Sequence, residues 1–119
     1  MTFTLGRAAP TISVSDVDRA LAFYVGVLGL QETFRNGQPT SFVIVERGAT
    51  ELHLALEPGH RGGEQNVAHL MVEGPDALHE HLVAHGVPIV GELRDADYGM
   101  RTFVMADPDG NRIDVGADL

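Results

Sequence analysis

Two hydrophobic periods run through the chain. Over residues 16–28, Val17, Ala20, Leu21, Tyr24 and Leu28 recur at three- and four-residue spacing, which predicts a helix with one buried face. Ser15 or Asp16 stands where an N-cap oxygen is needed, and Gly29 stands where a left-handed residue ends a helix. A second helix is predicted over 75–85, with Leu78 and Leu82 inward, Pro75 in its first turn, Asp76 against the positive end of the dipole and Gly86 as its stop. Elsewhere the period is two. Strands are predicted over 11–14, 31–35, 41–47, 50–57, 67–73, 87–93, 101–106 and 112–115, with turn residues at Asn36-Gly37, Gly48 and Asp109-Gly110. Residues 58–65, with Pro58, Gly59, Gly62 and Gly63, read as a linker.

Alternation sorts the faces. Ile12 and Val14, Leu52, Leu54 and Leu56, Leu70 and Val72, and Ile113 and Val115 form apolar rows that should pack beneath helices. The opposite rows mix Thr11 and Ser13, Glu51 and His53, Val67 and His69, and Arg112 and Asp114, so they should line a second, concave surface. A repeat is also visible: each half reads strand, helix, glycine, three strands. Gly29 lies 57 residues before Gly86, and Pro10 lies 57 before Val67. The expected fold is therefore α+β, a single domain over 1–119. It consists of two βαβββ modules, about 8–57 and 66–116, that form an open, cupped mixed sheet with helices on the outer face. Neither half is large enough to bury much core alone.

Charge narrows the chemistry. With 8 Lys+Arg against 17 Asp+Glu, the net charge is −9, which excludes phosphate-backbone recognition and attracts cations at low salt. The absence of cysteine removes disulfides, thiolate zinc sites, iron–sulfur clusters and a thiol nucleophile. No apolar run approaches a membrane span, and no leader is evident, so the expectation is a cytoplasmic protein with neither nucleic-acid nor membrane partners. His79-Glu80-His81 lacks the spacer of a zinc-protease helix, and His81 and His85 read as a solvated helix face. Nucleophile elbows, phosphate loops and dinucleotide fingerprints do not occur.

The runs SVSDVDRALAFYVGVLGL and YGMRTFVMADPDGNRID resemble the vicinal oxygen chelate superfamily, which includes glyoxalase I, extradiol dioxygenases, fosfomycin-modifying enzymes and bleomycin resistance proteins. The resemblance covers about 10–115, and the last of these groups is the nearest in character. It implies four metal-ligand positions on four strands. These fall on Ala9, on Glu51 or His53 (the sequence leaves both open), on Val67 and on Asp114. Two of the four carry no donor atom. His69 shares a face with Val67, but a two-residue shift moves a ligand about 7 Å along a strand. No metal and no cofactor are therefore expected.

The resemblance then implies a homodimer that binds and sequesters an antibiotic-like small molecule, cationic or aromatic. The expected ligand-binding residues are Phe42, Glu51, His53, His69, Tyr98, Arg101, Phe103, Met105 and Asp114. Arg101 has an equal alternative in an internal ion pair. No catalytic residue is assigned. The rivals are a metal-dependent glyoxalase- or dioxygenase-like lyase or isomerase, and a metal-free isomerase with Glu51 or His53 as general base.

Overall fold

In the computed structural model, which describes residues 2–119, module one runs β1 (Thr11–Val14), α1 (Val17–Tyr24), β2 (Gln31–Asn36), β3 (Phe42–Arg47) and β4 (Thr50–Leu56). Module two runs β5 (Asn66–Met71), α2 (Pro75–Ala84), β6 (Ile89–Asp95), β7 (Met100–Ala106) and β8 (Arg112–Asp118). Each module forms its own four-stranded mixed sheet, in the orders β1-β4-β3-β2 and β5-β8-β7-β6, and the first strand pairs in parallel with the last. The two tandem βαβββ units expected from the repeat are present.

Local chemistry sets the boundaries. Asp16 caps α1 by accepting from the Arg19 N–H, which leaves Ser15 free for other bonds. The helix ends at Tyr24, before the predicted Leu28. The N–H groups of Val27 and Leu28 both turn back to the Phe23 carbonyl, and Gly29 follows at φ +78°. Valines at 25 and 27 flanking Gly26 are poor helix formers, which fits the early stop. In module two, β6 starts at Ile89, after the predicted start at residue 87, because Pro88 brings no N–H to the ladder; its carbonyl accepts from Ala106. β8 runs on to Asp118, where it pairs with Met100 at the start of β7.

The apolar rows lie under the helices as expected. Ile12, Val14, Leu52 and Leu54 join Val17, Ala20, Phe23 and Tyr24 of α1, while Ile113 and Val115 lie with Leu82 of α2 in the same core. The turn at 107–111 ties the two modules together. The Tyr24 hydroxyl donates to Asp107 Oδ2 at 2.6 Å, and Asn111 Nδ2 donates to the Ser13 carbonyl at 2.9 Å. Asp109 accepts from Ser15 and Arg19, and Gly62 N–H donates to the Asp109 carbonyl at 2.8 Å. Residues 58–65 are thus packed against the junction through Gly62.

Candidate functional site

The mixed rows face away from the helices. In module one, His53 stands opposite Thr11 of β1 on one side and Ile44 of β3 on the other. Its ring lies edge-on to Phe42 at 5.4 Å, and Phe42 lies edge-on to Phe34 of β2 at 6.3 Å. Such pairs are favourable aromatic geometry, and together they make a continuous wall. Acidic groups border it. Glu51 Oε2 accepts from His53 Nε2 at 2.6 Å, and Oε1 accepts from Arg7 Nη2 at 2.5 Å. The same Arg7 nitrogen reaches Glu46 at 2.8 Å. The bond from Arg7 first, and that from His53 second, holds the Glu51 carboxyl below its ordinary range.

In module two, His69 pairs with Asp114 across β5 and β8, and its Nδ1 donates to Asp114 Oδ2 at 2.7 Å. Thr102 Oγ1 donates to the other carboxylate oxygen at 2.8 Å. In a neutral imidazole this bond leaves Nε2 as the acceptor nitrogen. Gly116 accommodates this arrangement: a Cβ there would lie 2.7 Å from Met100 Cε and 3.3 Å from His69 Cε1. A cavity of about 220 Å³ lies where the modules meet, with Ala8, Pro10 and Glu51 on one side and His69, Leu70 and Met71 on the other. A larger cleft, about 1000 Å³, lies elsewhere, between the start of α1 and the connection from β2 to β3. It contains none of the expected binding residues, so the concave face is the better-equipped surface.

Phe42, Glu51 and His53 thus converge in module one, and His69 and Asp114 in module two. Four others do not join them. Phe103 and Met105 stand opposite Val115 and Ile113 and are buried in the helix-side core, so they line no concave crevice. Arg101 shares their row. It donates to both Asp76 oxygens, at 2.6 and 3.1 Å, and to Asp95 at 2.9 Å, which is the internal ion pair. Tyr98 projects from the turn between β6 and β7 and is exposed.

Register also separates Glu51 from His53. His53 faces Thr11 across the parallel pair of module one as Asp114 faces His69 across that of module two, so His53 is the counterpart of Asp114. With Ala9 and Val67 bearing no donor, the side chains present do not fit a four-ligand metal centre. Among the described residues no three His, Asp or Glu side chains are grouped to hold an ion.

Phe34, Glu46 and Arg7 are contributions that alternation does not reveal. The β2–β3 register slips between Glu32 and Phe34, which brings both Thr33 and Phe34 against the concave row: Thr33 bonds Glu46 at 2.6 Å, and Phe34 meets Phe42. The only sequence signal was an aromatic residue on a strand otherwise polar throughout.

The family model described as the Glyoxalase/Bleomycin resistance protein/Dioxygenase superfamily matches residues 4–115. A member of that superfamily from Sphaerobacter thermophilus DSM 20745 is similar at 29% identity and a TM-score of 0.82, over 97% of this chain and 98% of the other. Lactoylglutathione lyase from Agrobacterium tumefaciens shares 21% identity at a TM-score of 0.75, over 94% and 92%. The genomically encoded fosfomycin resistance protein FosX from Listeria monocytogenes shares 14% at 0.79, over 98% and 94%. These last two likenesses show the fold alone. No curated protein sequence matches the chain.

Proposed function

The chain belongs to the glyoxalase/bleomycin resistance protein/dioxygenase superfamily, and we propose that within it the protein binds and sequesters a planar, cationic small molecule without using a metal. The observation that carries this reading is the wall of Phe34, Phe42 and His53 with Glu46 and Glu51 beside it. Aromatic edges and faces supply area for a flat ligand, and neighbouring carboxylates favour a positive charge on it. The donor set supports the reading from the other side, because two alkyl side chains occupy positions where the family's enzymes hold their ion.

The site is completed in a homodimer. Phe34, Val67 and Met71, at 50, 37 and 57% exposure, leave apolar surface open in a single chain. Light scattering should give the dimer mass, and a concentration-independent monomer would oppose this part of the reading. The ligand test is a ligand-detected NMR screen of intercalating and glycopeptide antibiotics, run with and without EDTA. Binding that survives EDTA and weakens about tenfold or more in Phe42→Ala is expected, because a central aromatic anchor is worth that much. Turnover that depends on an added divalent ion, and is lost in His53→Ala or Asp114→Ala, would instead favour an enzyme.

A further inference from the structure

Segment 2–10 carries a group that the proposed site does not need for its own shape. Arg7 lies three residues before Pro10, whose carbonyl accepts from the His53 N–H at 3.0 Å, so the segment is rooted on the binding strand itself. Beyond that root it has no regular secondary structure, and Phe3 and Leu5 are exposed at 73 and 85%. Among the described residues its side-chain ties are those of Arg7 to Glu51, at 3.2 and 2.5 Å, and to Glu46, at 2.8 Å. The Arg7 side chain is 54% exposed, whereas Glu51 is 19% and Glu46 31% exposed. The cation is the more solvated partner, and the carboxylates are the more buried ones.

Both oxygens of Glu51 are engaged, one by His53 and one by Arg7. A cationic ligand stacked on Phe42 and His53 therefore meets a carboxylate pair already holding a guanidinium. Guanidinium is planar and stacks on aromatic faces as well as pairing with carboxylates, so it is a chemical mimic of such a ligand. We propose that segment 2–10 is an autoinhibitory latch, in which Arg7 holds Glu46 and Glu51 until a planar aromatic cation displaces it. This deepens, and rests on, the reading of the concave face as a binding site. Half-exposed ion pairs are weak, so the latch opens at little cost and tunes affinity instead of blocking it.

The test uses proflavine, a planar aromatic cation, in fluorescence titrations of the wild type, Arg7→Ala, Arg7→Lys and Phe42→Ala. The latch predicts that Arg7→Ala binds about three- to tenfold tighter, the range that competing surface ion pairs supply, and that Arg7→Lys, which keeps the charge but not the fork, falls between the two. A second readout follows the bond after Arg7. Trypsin, used without the dye because an aromatic cation also enters the protease's own acidic specificity pocket, should cut there several-fold faster in the Glu46→Gln/Glu51→Gln double variant than in the wild type. Equal proflavine affinity in the wild type and Arg7→Ala, both sensitive to Phe42→Ala, would overturn the latch and leave the site standing. Proflavine binding that ignores Phe42→Ala in every form would overturn the site reading, and the latch with it. Trypsin cleavage unchanged by the carboxylate substitutions would also overturn the latch.

Discussion

Gly62 shows what a single residue does at the junction of the modules. A Cβ at this position would lie 2.2 Å from the backbone carbon and oxygen of Gly110, and backbone cannot swing aside as a long side chain can. Gly62→Ala should therefore destabilise by about 1–3 kcal/mol, read as a lowered melting temperature. Gly110 itself sits at φ +79°, so Gly110→Val should add backbone strain of about 1–3 kcal/mol. Tyr24 is the polar counterpart: fully buried, its hydroxyl donates to Asp107. Tyr24→Phe should cost about 1.5–3 kcal/mol in urea denaturation, the usual worth of a bond to a charged acceptor. Burial first, and the Asp107 carboxylate second, raises the Tyr24 phenol well above 10. The unfolded chain then loses this proton near pH 10 while the folded protein keeps it, so stability falls as pH rises beyond that point. The fall should be shallower in Tyr24→Phe. Gly110 was legible as a turn glycine. Gly62 was not, because a glycine that permits close approach looks the same in sequence as one that gives a linker freedom.

At the scale of elements, the strands were legible wherever their two faces differ. β4 alternates Leu52 and Leu54 with Glu51 and His53, and that contrast alone sends the leucines to α1 and the polar pair to the concave side. β7 has no such contrast. Arg101, Phe103 and Met105 alternate with Thr102, Val104 and Ala106, and either row could be the inner one. The answer lies in the neighbour: Phe103 and Met105 pair with Val115 and Ile113, whose row is plainly apolar, so register from β8 decides the face of β7. β2 was unreadable for another reason, since its bulge breaks the period that alternation relies on. The placement of Arg101 can be checked directly. It joins the start of α2 to β6 through Asp76 and Asp95, which are 63 and 59% exposed, so the pairs are solvent-screened. Arg101→Met should cost less than about 1 kcal/mol and leave the affinity of any concave-face ligand unchanged. A tenfold loss of that affinity would mean that Arg101 reaches the ligand after all.

For the molecule as a whole, the repeat and the helix signatures carried the architecture, because two copies of one pattern are hard to produce by chance over 119 residues. What the sequence could not convey is how the two modules contribute unequal chemistry to matching positions. Module one presents the aromatic wall with its carboxylates, and module two presents the His69–Asp114–Thr102 chain, although the parallel strand pairs beneath them are equivalent. Above both lies the field of a net charge of −9. That field acts on a cationic ligand before any contact forms, and it is screened over about 30 Å at 10 mM salt but about 8 Å at physiological salt. The association rate of proflavine, measured by stopped flow, should therefore fall several-fold between those conditions. Its dissociation rate, governed by stacking on Phe42 and His53, should change much less. A neutral aromatic of similar size should show little salt dependence in either rate. If the two ligands respond alike to salt, the acidic surface does not steer, and affinity rests on the aromatic wall alone.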